Sequence, residues 1–223
     1  MRIGILGGTG PAGSALGARL ASIGYEVVIG SRSKYRAMEA VDGLKAQYPE
    51  MTLAITAGDN HEASACEVVV LATPWDSAAT TAREHIDDLR GKVVISMANA
   101  LVRVGGEFQP LLPPRGSVAA HVQAAIPECN VVAAFHHLPA KELGHLGEPI
   151  DSDVLVCSDD PAATRTAMEI VSRIPGCRPL DAGQLSNATA IEAFTAVLLQ
   201  LNVRYRTRVA PKLTGIKDDP QAR

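Results

Sequence analysis

Short apolar runs punctuate the chain at intervals that suit alternating strands and helices. Arg2-Ile3-Gly4-Ile5-Leu6, Tyr25-Glu26-Val27-Val28-Ile29, Met51-Thr52-Leu53-Ala54-Ile55-Thr56 and Glu67-Val68-Val69-Val70-Leu71-Ala72 read as strands. So do Lys92-Val93-Val94-Ile95-Ser96, Val131-Val132-Ala133-Ala134-Phe135 and Asp153-Val154-Leu155-Val156-Cys157. Runs this continuous belong to strands buried on both faces. Between them, Ala- and Leu-rich residues up to Ile23, then 33–48, 61–66, 77–89, 117–125 and 161–174, follow helical spacing. Asp76 and the Asp159-Asp160 pair are placed to cap the helices that follow them. The longest helix is expected from Gly183 to about Arg208, with Ile191, Phe194, Leu198, Leu201 and Tyr205 along one face. Residues 97–116 and 136–150 read as irregular. The alternation predicts an α/β fold, a doubly wound parallel sheet. A first domain over 1–150 and a small C-terminal part over 151–223, holding a strand, a helix and the long helix, complete it.

The first turn carries chemistry. Gly8-x-Gly10-x-x-Gly13 lies between a strand and a helix, the context that a dinucleotide loop needs. Gly8 permits the turn, Gly10 admits a pyrophosphate against backbone, and Gly13 lets the helix pack close. Pro11 suits the first helical position. The free N–H groups there face phosphate oxygens. These features make the fold Rossmann-type. Gly30-Ser31-Arg32 ends the second strand where an NAD site carries an acid on the ribose hydroxyls. A guanidinium beside a hydroxyl instead matches a 2′-phosphate, with Lys34 and Arg36 adding positive charge, so NADP(H) is the expected cofactor.

Composition narrows the rest. The 223 residues carry a net charge of −3, which gives no general attraction to nucleic acid or to a membrane surface. No apolar run reaches membrane-spanning length, and the N-terminus enters a strand without room for a signal peptide. Cys66, Cys129, Cys157 and Cys177 are scattered, as reduced thiols of a cytoplasmic protein would be.

Ligands bind at the carboxyl ends of parallel strands. Thr73-Pro74-Trp75, Met97-Ala98-Asn99 and His136-His137-Leu138-Pro139-Ala140 fall there. Trp75 either shields a flat ligand or anchors its helix; one of the two histidines either lines the site or sits in the core. Neighbours on an extended segment point apart, and no HExxH or cysteine pair marks a metal site, so none is expected. No Tyr is followed by Lys four residues on, and no Gly-x-Ser-x-Gly appears. An acceptor with its own electron sink fits these absences.

Several further stretches recur in a known order. They are Gly7-Gly8-Thr9-Gly10, Gly30-Ser31-Arg32, Thr73-Pro74-Trp75, His136-x-Leu138-Pro139-Ala140, Cys157-Ser158-Asp159-Asp160, Arg178-Pro179-Leu180-Asp181-Ala182-Gly183-Gln184-Leu185-Ser186-Asn187 and Gly215-Ile216-Lys217. Along nearly its whole length the chain resembles the NADPH:coenzyme F420 oxidoreductases. The resemblance implies a homodimer that moves a hydride reversibly between the nicotinamide C4 and the deazaflavin C5, with no acid–base residue. It implies that Thr9, Pro11, Ala12, Ser31, Arg32, Arg36, Trp75 and Ala140 line the NADP site with Pro74 and Ala98. Met97, His136, Leu138 and Pro139 would face the deazaflavin, with Ala98 close by. Archaeal members carry a glycine-rich segment where this chain has Arg204 to Lys212. The bases there, Arg204, Arg206, Arg208 and Lys212, are expected either to attract the anionic tail of F420 or simply to end a helix. Other readings are NADPH reduction of a flavin, an imine or a ferric chelate, and non-catalytic NADP(H) sensing.

Overall fold

The computed structural model describes residues 1–216. The order is β1 (Arg2–Leu6), α1 (Pro11–Ser22), β2 (Glu26–Ser31), α2 (Lys34–Gln47), β3 (Ile55–Asp59), α3 (Asn60–Ser64), β4 (Val68–Leu71), α4 (Trp75–Glu84), α5 (Ile86–Leu89) and β5 (Val93–Ser96). A hairpin of β6 (Leu101–Val104) and β7 (Glu107–Pro110) follows, then α6 (Val118–Ala125), β8 (Asn130–Ala133) and α7 (Ala140–Leu143). The chain continues through β9 (Ser152–Ser158), α8 (Pro161–Ser172), β10 (Cys177–Asp181), a 3-10 turn at Leu185–Asn187 and α9 (Ala188–Tyr205).

The main sheet has the order β10-β9-β8-β5-β4-β1-β2-β3. The six strands from β8 to β3 are parallel, as the alternating pattern requires. The apolar side chains of β1 divide between the two faces. Ile3 and Ile5 pack with α1, α2 and α8, while Leu6 joins the layer formed by α4, α6 and the start of α9. β9 runs the other way. Only Val132–Ser158 and Ala133–Cys157 are in register with β8, so most of β9 rises past the carboxyl end of β8. β10 pairs with β9 in parallel. A raised ledge therefore borders the ligand end of the sheet.

Several expected boundaries move. β3 starts at Ile55 rather than Met51, because its partner β2 extends to Ser31 and pulls the pairing out to Asp59. Leu53 of the apolar run is already spent under α2. Asp76 is not a cap: Pro74 holds that position, and Asp76 sits inside the first turn. Asp160 does cap α8, accepting from Ala163 N at 2.7 Å. The 77–89 helix breaks at His85 into α4 and α5. β10 is hidden in the sequence by Pro179, which only an edge strand tolerates. Gly183, at φ +85°, turns the chain away before α9, which begins five residues later than expected. Lys217 and the charged residues after it lie outside the described residues.

Buried Arg19 ties α1 to the segment beyond β8. It is 1% exposed. Its guanidinium donates to the carbonyls of Glu142, Leu143, His145, Leu146 and Glu148 at 2.7–3.3 Å.

Candidate dinucleotide site

β1 ends in a turn with Gly7 at φ +70°, a conformation that a Cβ resists. The three signature glycines have different reasons to be glycine. A Cβ on Gly8 would stand 2.9 Å from the Ile5 carbonyl, and one on Gly13 2.9 Å from Ala72 Cβ. Those two serve the fold. A Cβ on Gly10 would meet only the Gly7 carbonyl, at 3.8 Å. Nothing in the protein requires glycine there; a ligand lying against the backbone does.

Gly10 also precedes α1 without any side-chain cap, and Pro11 occupies the first turn. The next N–H groups open onto a cleft of about 620 Å³, a volume in the range of small-ligand sites. Thr9, Gly10, Pro11, Ala12 and Gly13 line it, as do Ser31, Arg32, Arg36 and Pro74. Gly8 sits beneath, buried in the turn. Arg32 and Arg36 are exposed and have no carboxylate partner among the described residues, whereas Lys34 pairs with Glu62 at 2.7 Å. The positive charge available to a phosphate is therefore that of the two arginines. A hollow of about 460 Å³ at the amino ends of β1–β3 is lined by Arg2, Glu26, Lys45 and Leu53 and lies far from this loop.

The structure adds residues that the sequence did not reveal. Asn60 lines the cleft, and its Oδ1 accepts from Gly7 N at 3.4 Å, pinning the loop. The opposite wall is one face of α4: Ser77, Thr80, Thr81 and Glu84. Their spacing of three, four and seven residues was a visible signal, but such polar faces are usually just solvated.

The other expected residues lie outside the cleft, on both faces of the sheet. Trp75 does not line the cleft; it packs on the core layer that includes Ala98. Met97 and Leu138 are buried in the layer on the opposite face. Pro139 and Ala140 are half-buried at the start of α7, outside the cleft. His136 is wholly enclosed. Phe135 just before it has φ +66°, an outlier of the kind held at functional sites. The His136 carbonyl accepts from Asn99 Nδ2 at 2.9 Å, while both of its ring nitrogens lack a hydrogen-bond partner. Burial, with His137 beside it, pulls the His136 imidazole down to about 3, so the ring is neutral at ordinary pH.

Glu192 of α9, another residue not foreseen, approaches His136 Nε2 at 3.8 Å. Its carboxyl accepts from Val118 N at 2.7 Å and Ala119 N at 3.1 Å, which fastens α9 to the start of α6. Burial pushes that carboxyl up to about 7 against the pull of the two N–H groups. The hydroxyls of Thr73, Ser96 and Thr195 and the Asn99 amide oxygen are also buried without partners. So many unsatisfied donors and acceptors at strand ends are unusual in a finished core. They are chemically suited to the polar edge of a flat ligand.

Three of the four bases expected to draw the F420 tail, all but Arg206, already have acidic partners. Arg204 pairs with Glu107, Arg208 with Glu142 and Lys212 with Asp151. The long motif from Arg178 to Asn187 serves the fold. Arg178 clasps buried Asp153 with two bonds of 2.7–2.8 Å, Asp181 accepts from Gly183 N, and Asn187 donates to the Ala182 carbonyl.

The model of the NADP oxidoreductase, coenzyme F420-dependent family matches residues 2–100. The F420-dependent NADP reductase of Methanocaldococcus jannaschii is 36% identical over 222 residues, covering 97% of each chain. This chain belongs to the F420-dependent NADP reductase family. A second F420-dependent NADP reductase, from Methanothermobacter thermautotrophicus, is 34% identical over 94% of this chain and 93% of its own. A crystal structure of a putative member from Arthrobacter sp. FB24 superposes with a TM-score of 0.75 at 26% identity, covering 94% of this chain and 99% of that one. The matched residues 2–100 include the glycine loop and every residue that lines the cleft. No helix among the described residues is long and apolar enough to cross a membrane.

Proposed function

We infer that this chain transfers a hydride reversibly between NADP(H) and coenzyme F420. The observation that carries the reading is the contrast at Gly10: a backbone left bare by the fold, under two uncompensated arginines, in a chain of this family. When bound, the nicotinamide and the deazaflavin supply the hydride chemistry. The protein supplies placement, the larger part of catalysis when two rings must meet in register. The first turn of α1 and Asn60 hold the pyrophosphate loop, and Ser31, Arg32 and Arg36 take the 2′-phosphate. Pro74 and the hydroxyl face of α4 close the far wall. Met97, Ala98, His136, Leu138 and Pro139, with the partnerless hydroxyls of Ser96 and Thr195, border the acceptor. Trp75 and Ala140 support that border from the core side. No residue moves a proton in this scheme.

Residues 1–150 carry the dinucleotide. The C-terminal part contributes the β9–β10 ledge and α9, whose Glu192 and Thr195 stand on the acceptor's side. The working form is a homodimer of small-molecule chemistry, with no nucleic-acid partner. Ile191 and Leu198 are covered by the chain's own core, but Phe194 at 40% and Val197 at 51% exposure are not. The four buried free thiols suit the cytoplasm.

Mixing the protein with NADPH and F420 should bleach the deazaflavin absorbance in step with NADPH oxidation. NADPH binding without turnover of F420 would instead favour a sensor, and turnover of flavin alone another reductase.

A further inference from the structure

Three metal-ligating side chains meet on the outer side of the wall formed by α3 and α4. His61 lies in α3, His85 joins α4 to α5, and Asp88 lies within α5. One ligand atom from each falls within 4.8 Å of the other two. His61 Nδ1 and Asp88 Oδ2 are already 2.7 Å apart. Ser64 Oγ donates to the same carboxylate oxygen at 3.0 Å. Two imidazoles, one carboxylate and an outer hydroxyl that orients it are the components of a transition-metal centre.

We propose that His61, His85 and Asp88 bind one divalent ion of the zinc class, with water completing its coordination. At the bond lengths of about 2.0–2.2 Å of such sites, tetrahedral ligand atoms stand roughly 3.3–3.5 Å apart. The short His61–Asp88 contact must therefore open, and no separation has to close by more than about 1.5 Å. The His61 side chain is 71% exposed, so its ring is free to turn. His85 and Asp88 sit one turn apart, with Asp88 N donating to the His85 carbonyl at 3.1 Å, and need not move as a pair. Burial pushes the Asp88 carboxyl up, but bonds from Ser64 and His61 outweigh it and hold the group below its usual range. The nearby Lys92 ammonium is committed to the Ser64 carbonyl at 2.9 Å. The bound ion takes the place of the His61 Nδ1–Asp88 Oδ2 hydrogen bond.

Such an ion would brace the cleft from outside. α3 carries Asn60, which holds the phosphate loop, and α4 carries the hydroxyl face opposite. Binding itself does not depend on the hydride reaction.

The test is titration of the full chain with Co²⁺, followed by visible absorption, and with Zn²⁺, followed by calorimetry and melting. One ion per chain is expected, with a higher Tm by mass action. His85→Gln and His61→Gln should each weaken binding at least tenfold and abolish the rise in Tm. His145→Gln, at an exposed site elsewhere, should change neither. With metal withheld from both proteins, NADPH affinity of the variants should match that of the wild type, which separates this site from the cofactor cleft. Absence of saturable binding, or binding that survives both substitutions, overturns the proposal.

Discussion

In the proposed scheme Gly10 and Arg32 serve one cofactor by shape and by charge, and each makes a separate prediction. Gly10→Val fills space that only a ligand claims, so NADPH binding should be lost while the melting temperature changes little. A folded variant with normal NADPH affinity would put the pyrophosphate elsewhere. Arg32→Ala should weaken NADPH about tenfold, the low end of the roughly 1.5–3 kcal/mol of a charged contact, because Arg32 stands in water. NADH affinity, read by the same fluorescence titration, should hardly move. Glu192 makes a prediction in pH. Its carboxyl binds its proton up to about 7 in the fold but ionises at its ordinary lower value when unfolded. The folded state thus holds more protons between about pH 4.5 and 7, and stability falls as pH rises through that window. Glu192→Gln removes that loss. Relative to wild type it should gain up to about 3 kcal/mol across the window, read by urea unfolding at several pH values. Parallel pH profiles for the two proteins would mean that the carboxyl is ionised throughout.

At the scale of elements, the parallel strands and most helices were legible because buried β-strands and amphipathic helices leave different periods in the sequence. Pro179 hid β10, since a proline in a strand is tolerated only at an edge that the sequence does not mark. That the glycine loop, Ser31 and Arg32 share one cleft was legible because they sit within a single strand–turn–helix–strand unit. Asn60, Thr80 and Glu192 were not, because their roles come from elements brought together across the fold. The same holds for Arg19, whose bonds to α7 and the residues after it span more than 120 residues of chain. Arg19→Met should strand several buried carbonyls. A loss of about 3 kcal/mol is expected, or roughly 6–12 °C in Tm for a chain of this size. A Tm within 2 °C of wild type would mean that water replaces the guanidinium at about no net cost.

For the whole molecule, the exposed side of α9 and the nearby hairpin present apolar residues that a monomer leaves wet, among them Phe194, Val197 and Leu112 at 73% exposure. β7 lies against α9, with Phe108 N donating to Gln200 Oε1 at 3.3 Å, so hairpin and helix form one surface. Light scattering at micromolar concentration should give twice 23.4 kDa; the mass of one chain would remove the dimer. Two cofactors held ring to ring, with no residue passing protons, make a sharper demand on the molecule. The direct measurement follows a label. NADPH carrying deuterium on both faces of C4, turned over with F420 in ordinary water, should deliver one deuterium to C5 of the reduced deazaflavin, on one face only. Reduced F420 with only protium at C5, the transferred deuterium having gone to solvent, would contradict direct transfer between stacked rings.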